Sequence, residues 1–382
     1  MTTIQTERVA RIQLQATGER KNAMREFREI ALLTAQAAPF NWEAAQAAER
    51  RWSHVAHPLH SLGLLEDAIV KIVGMTGQVM PCLDRKAVLI LCADNGIVEE
   101  GVTQTDSSVT ASVVRGFTRG EGCVTLMADQ AGARCIPVDL GIQEDMEECG
   151  AVHPLVHRKL ARGTANFLYS PAMTEGQVVE AICIGAELVK KEKERGTGLL
   201  AVGEMGIGNT TTASALAAAL LNRPVPEVTG KGAGLSEQGL EKKIRVITQA
   251  IDKYDLYHAK PLRVLQCVGG LDLAGMVGVY LGGAVYRMPI LLDGVISAAG
   301  ALAAARILPE SKDYMLATHV SREPAARLIL DELGLNPLID CGMCLGEGTG
   351  AVAAMPLLDM ALRVYRDMAT FQEYAIEEYQ PL

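Results

Sequence analysis

The hydrophobic pattern changes character along the chain. Residues 1–52 alternate polar and apolar positions at helical spacing and are rich in Ala, Glu, Gln and Arg, which predicts two amphipathic helices lying on a surface. From Lys86 the texture becomes continuous and apolar. The run Lys86–Asp94 ends in a carboxylate followed by Asn95 and Gly96, as expected of a buried parallel strand feeding a loop. Similar strand-then-loop units recur at Cys135–Asp139, Gly198–Gly203 and Pro289–Asp293. Ala-rich stretches such as Thr212–Leu221 and Ser297–Arg306 read as helices between them, and Ala351–Tyr379 reads as a closing helix. Strands alternating with helices predict an α/β fold, a parallel Rossmann-like sheet covered by helices on both faces. Small residues crowd Met205–Gly234 and Val268–Gly300, which implies close backbone packing. The run Val268–Tyr286 is interrupted by Asp272 and glycines, so it predicts a packed helix rather than a membrane span.

Composition narrows the function classes. The 382 residues carry a formal charge of -9, with 36 Lys and Arg against 45 Asp and Glu, which disfavours a nucleic-acid or anionic-membrane partner. The N-terminus lacks the apolar core of a signal peptide, and the nine cysteines are scattered through apolar runs, so reduced thiols in a cytoplasmic protein are expected. Cys341 and Cys344 form one C-x-x-C pair, but no second pair sits at zinc spacing, and no metal or cofactor is expected.

In open α/β sheets ligands bind beyond the carboxyl ends of strands. The loop Gly203–Thr212 combines glycines, which admit a close ligand, with Asn209, Thr210 and Thr211 at a helix start. It reads either as a phosphate cradle or as an ordinary capped helix, and it lacks both the Walker ending and the G-x-G-x-x-G fingerprint. A second flexible loop, Gly230–Gly234, reads as a partner closing on the same ligand or as a surface turn. Glu347, flanked by glycines in Leu345–Gly350, is a candidate general base or a first-turn residue complementing a helix dipole, and Glu204 is a second loop carboxylate.

The segments Gly203–Thr211, Val268–Ala284, Pro289–Gly294 and Leu345–Ala351 occur in an order that closely resembles the nicotinate-nucleotide:dimethylbenzimidazole phosphoribosyltransferase family, over about Ser61 to Tyr365. The resemblance implies a large α/β domain (81–351) and a smaller helical domain from both chain ends (1–80 and 352–382). It further implies a dimer and transfer of phosphoribose from nicotinate mononucleotide to an aromatic base, with inversion from β to α. Glu347 matches the family's general base and Glu204 the residue lining the base pocket. Gly206, Gly208, Asn209, Thr210 and Thr211 match its phosphate loop. Gly232, Lys243, Asp293 and Ser321 fall where further nucleotide contacts are expected.

The departures concern the acceptor. Ala93–Gly96 reads A-D-N-G where the family has A-D-H-G, and His57–Glu66 lacks a Lys, a Gly and an Arg of the family segment. Thr105 and Val113 stand at two base-pocket positions that are Ser and Gln in the family. Loss of that amide removes a partner for a base nitrogen, so a relative acting on phenol or p-cresol, built from two homologous chains, is the other match. A non-catalytic paralogous subunit and a nucleotide sensor without transfer chemistry are the competing classes.

Overall fold

A computed structural model describes residues 28–146 and 152–379. Six strands build the sheet: β1 (Lys86–Ala93), β2 (Ala133–Gly141), β3 (Val156–His157), β4 (Leu199–Met205), β5 (Ile290–Leu292) and β6 (Met315–Ala317). They lie in the order β3-β2-β1-β4-β5-β6, with every pair parallel. This is the doubly wound order, whose direction of travel reverses between β1 and β4 and opens a crevice at their carboxyl ends.

The helices that position the site are α1 (Trp42–His54), α2 (Leu64–Thr76), α3 (Ser108–Arg119), α4 (Cys123–Gln130), α5 (Glu175–Glu194), α6 (Asn209–Leu221), α7 (Glu237–Tyr254), α8 (Leu271–Tyr286), α9 (Val295–Ile307) and α10 (Thr349–Asp367). Strand alternation explains why both sheet faces are covered. Ala87, Leu89, Leu91 and Ala93 of β1 join one apolar cluster with residues of α5, α6, α8 and α9. Val88, Ile90 and Cys92 point the other way, into a cluster with α1, α2, α4 and α10. A strand buried on both sides has no polar face to show, hence its unbroken apolar run.

The four strands read from sequence are present, with ends displaced by one or two residues. β3 and β6, two and three residues long, carry too little pattern to be read. Residues 28–34 are helical and precede α1, while residues 1–27 lie outside those described. The closing helix is shorter than expected. It ends at Asp367, and Met368 turns extended so that Thr370 can pair with Val55 in an antiparallel bridge. The Glu373 carboxylate then accepts from the Thr370 N–H and hydroxyl, which fixes a turn where a helix was expected. The bridge and the bond from the Phe371 N–H to the His54 carbonyl join the two chain ends.

The small residues of α8 have a structural purpose. A Cβ on Gly185 of α5 would overlap the Gly275 carbonyl oxygen, and one on Gly278 would overlap the Ile182 carbonyl. The two helices cross with backbones in contact, and α8 is buried nearly along its length. No helix among the described residues is long and apolar enough to cross a membrane. Gly278→Leu is expected to cost at least about 1–3 kcal/mol through overpacking. Gly116→Ala, on a helix with open space around it, should be neutral or stabilise by about 0.5–1 kcal/mol. Denaturant midpoints of the two variants against the parent check this contrast, and equal shifts would refute it.

Candidate active site

The carboxyl ends of β1, β4, β5 and β6 and the start of α10 surround a cleft of about 230 Å³. Glu204, Gly206, Gly208, Asn209, Thr210, Gly232, Asp293, Ser321, Thr105 and Glu347 all line it, although they come from distant parts of the chain. The amino ends of α6, α9 and α10 open on it, each adding favourable potential for an anion.

The geometry begins with Asp293, at the end of β5. Its Oδ1 accepts from the Gly350 N–H at 2.8 Å and the Ala351 N–H at 3.2 Å, and its Oδ2 accepts from the Gly348 N–H at 3.0 Å. These are otherwise orphan donors of the first turn of α10. Asp293 therefore anchors the turn that carries Glu347, its oxygens accepting from backbone, while it also lines the cleft. The turn it holds is strained: Glu347 has φ +63°, between Gly346 at +89° and Gly348 at +95°. A glutamate in this region costs roughly 1–3 kcal/mol and persists only where its surroundings impose it. Gly203 is required as well, because a Cβ there would overlap the Glu347 carbonyl.

Glu347 is half-buried, and its Oε2 accepts from the Val124 N–H at 3.4 Å, at the start of α4. Burial pushes its carboxyl above the ordinary range, the Val124 bond opposes this, and the Asp293 charge adds to it. Glu204 is buried beside it. Its Oε1 accepts from the Glu347 N–H at 3.3 Å, and its Oε2 from the Asn209 amide. Desolvation, then the Asp272 charge, pushes Glu204 up to about 8.

At the other end, the Lys243 ammonium donates to Thr210 Oγ1 at 2.9 Å and to the Gly230 carbonyl at 3.2 Å. Lys243 is fully buried and does not line the cleft, so it acts through these two partners. Desolvation lowers it to about 8, against the opposing Glu323 charge. Thr211 is buried behind the cleft, its hydroxyl without a partner. Val113 is half-buried on α3 against the core and is not among the lining residues. Three lining or supporting residues escape a sequence reading. His319, after β6, is buried with Nδ1 3.4 Å from Thr318 Oγ1. Glu323 accepts from the Gly232 N–H at 3.1 Å and so ties down the second glycine loop. Asp272 shares the Asn209 amide with Glu204, at 3.2 Å. Its only signal was a lone acid in an apolar run.

Asp293→Asn puts an amide donor against backbone donors. It should destabilise by about 1–3 kcal/mol and lower turnover by about 10²-fold through displacement of Glu347, with little change in donor KM. Steady-state kinetics and a denaturation curve check both. Glu204 gives a pH signature. Its proton is held more tightly folded (about 8) than at the ordinary value of 4.5, so the stability of its neutral form is lost as pH rises from 4.5 through 8. Glu204→Gln should therefore gain stability relative to the parent as pH rises through that window. A difference that stays flat with pH would refute it.

A phosphoribosyltransferase family profile matches residues 37–376, beginning well before the stretch first aligned by motif. The nicotinate-nucleotide–dimethylbenzimidazole phosphoribosyltransferase of Ruminiclostridium cellulolyticum is 43% identical over 342 residues, 90% of this chain and 96% of that protein. The enzyme of that name from Clostridium acetobutylicum is 42% identical over 334 residues, 87% of this chain and 94% of that protein. The crystal structure of CobT from Thermus thermophilus superposes with a TM-score of 0.83 at 39% identity, covering 88% of this chain and 100% of that one. Fold, cleft and sequence agree: the chain belongs to the phosphoribosyltransferase family that these proteins represent.

Proposed function

We propose that this chain transfers phosphoribose from nicotinate mononucleotide to an aromatic nitrogen base of the dimethylbenzimidazole type, giving the α-riboside phosphate and nicotinate for cobamide lower-ligand synthesis. The observation that carries the reading is Glu347, held over the cleft in a left-handed conformation by Asp293. A strained, half-buried carboxylate aimed at a cleft is what a general base requires. The acceptor nitrogen attacks the anomeric carbon from the face opposite the pyridinium. The bond to the pyridinium nitrogen breaks, its electron pair stays on nicotinate, and Glu347 takes the proton from the acceptor's other nitrogen. Thr210 and the Gly206–Thr211 loop, at the amino end of α6, hold the donor phosphate, with Lys243 behind Thr210 and Gly232 on the facing loop. Ser321 lines the same side.

Transfer to phenol or p-cresol is the second reading, resting on Thr105 and Val113. Thr105 lies exposed on the cleft lining and Val113 packs on the core, so within one protomer the nitrogenous acceptor is better supported. The chain works as a dimer, with itself or a homologous chain, in the cytoplasm. A non-catalytic role or a sensor is disfavoured by the intact pairing of Glu347 with Glu204.

The test is chromatography of products from nicotinate mononucleotide with dimethylbenzimidazole, adenine, phenol and p-cresol. Benzimidazole riboside and free nicotinate are expected, and nicotinate release with none of the acceptors would overturn the reading. Glu347→Gln should lower turnover by roughly 10²–10⁴-fold. Because burial raises Glu347, the acidic limb of the parent's kcat/KM profile should lie above the ordinary glutamate range.

A further inference from the structure

Two buried carboxylates, Glu204 and Asp272, face one another across a single side-chain amide. Asn209 Nδ2 donates to Glu204 Oε2 and, at 3.2 Å, to Asp272 Oδ2. All three side chains are nearly or wholly buried, and neither acid forms an ion pair among the described residues. The groups facing the pair are themselves acidic or neutral. They are Cys92 from β1 and Asp94 just after it, Asp293 after β5 and Glu347 before α10, with Asp139 of β2 beyond Cys92 and Asp94. The cation on this side, Lys159, is committed to Asp139 at 3.5 Å.

A second observation lies on the far side of Asp272. Asn95 Oδ1 is buried with no hydrogen-bond partner, while its amide nitrogen reaches the Ala93 and Ile207 carbonyls at 3.4 Å. That oxygen and Asp272 Oδ1 lie on the same side of Gly270, where an added Cβ would meet both. An acceptor without a donor next to a buried carboxyl is answered by a proton on that carboxyl.

We infer that Asp272 is a positioning residue that, with Glu204, retains one proton for the pair, the two acids being coupled through the Asn209 amide that donates to both, so that Glu204 meets the acceptor ring as a neutral carboxyl and Glu347 alone serves as the anionic base. Two adjacent carboxyls without a cation cannot both ionise cheaply, and environments that push a pair apart assign acid and base roles. Desolvation raises Asp272 to about 7, in the same direction as Glu204. A neutral Glu204 can donate to an acceptor nitrogen or to the nicotinate carboxylate, and it removes one negative charge from a cleft that must admit an anionic donor. The division of roles rests on the proposed base function of Glu347, while the proton sharing does not.

The experiment is infrared difference spectroscopy of the whole protein without substrate, at neutral pH. A carbonyl stretch from a protonated buried carboxyl is expected in the parent, lost or shifted in Asp272→Asn. Glu204→Gln should also perturb it, and that variant keeps the test open should Asp272→Asn not fold. Absence of any such band sensitive to either substitution overturns the inference. In kinetics, Asp272→Asn removes the second carboxyl of the pair that retains the proton. The alkaline limb of kcat/KM should then move to lower pH by about one unit. A limb that stays in place while only thermal stability falls reduces Asp272 to a packing role and overturns the inference too. If the band behaves as expected but Glu347→Gln remains active, proton sharing stands and the base assignment falls.

Discussion

The site depends on one constraint: three backbone N–H groups at the start of α10 converge on the two oxygens of Asp293. A carboxylate at a helix amino end satisfies donors that the helix cannot, and complements its dipole. Here it also fixes where α10 begins relative to β5, and thus where the preceding turn must run. With Gly348 pinned and Gly203 letting the turn lie against β4, Glu347 takes up a left-handed conformation. The energy stored at one residue is offset by hydrogen bonds at three others.

A chain with an excess of acid must accept an anionic nucleotide into a cleft lined by Glu204, Asp293, Glu323 and Glu347. The fold answers in two ways. The amino ends of α6 and α9 and the buried Lys243 place positive potential on one side. On the other side, burial favours the neutral form of Glu204, and backbone donors engage other carboxylates. Glu323 is bound to the Gly232 N–H and Asp293 to α10, so neither presents a free anion to the cleft. Electrostatics here is a matter of which acids are engaged, which a net charge cannot express.

The doubly wound sheet was legible because its central strands are buried on both faces and carry unbroken apolar runs. Glu204, Asn209 and Glu347 were legible because glycines surround them at strand ends. Asp293 was also marked, but as a nucleotide contact; its bond to α10 joins residues more than fifty apart, which no local pattern encodes. His319 and Glu323 follow β6 and flank Ser321, which the resemblance supplied, but no local pattern of their own marked them. Asp272 was visible as an acid inside an apolar helix, yet its partner Asn209 becomes apparent only when α6 and α8 meet. Val113 shows the converse: a position implied by resemblance that one protomer keeps on its core side.

The glycines of α8 connect this chemistry to the scaffold. Gly185 of α5 and Gly278 of α8 let the two helices approach to backbone contact, while Gly275 makes room for Leu140 and Leu91 of the sheet, which locks α8 in place. Asp272 sits in the first turn of that helix, with Oδ1 accepting from the Leu273 N–H at 2.8 Å, so its carboxyl inherits the rigidity of the crossing. Its other oxygen then has one place to point, toward Asn209 and Glu204. Close-packed interiors resist displacements of even a methylene. A crossing made of glycines therefore does more than fill space. It fixes the position of Asp272 relative to Asn209, and through that amide its relation to Glu204, beneath the strained turn that presents Glu347.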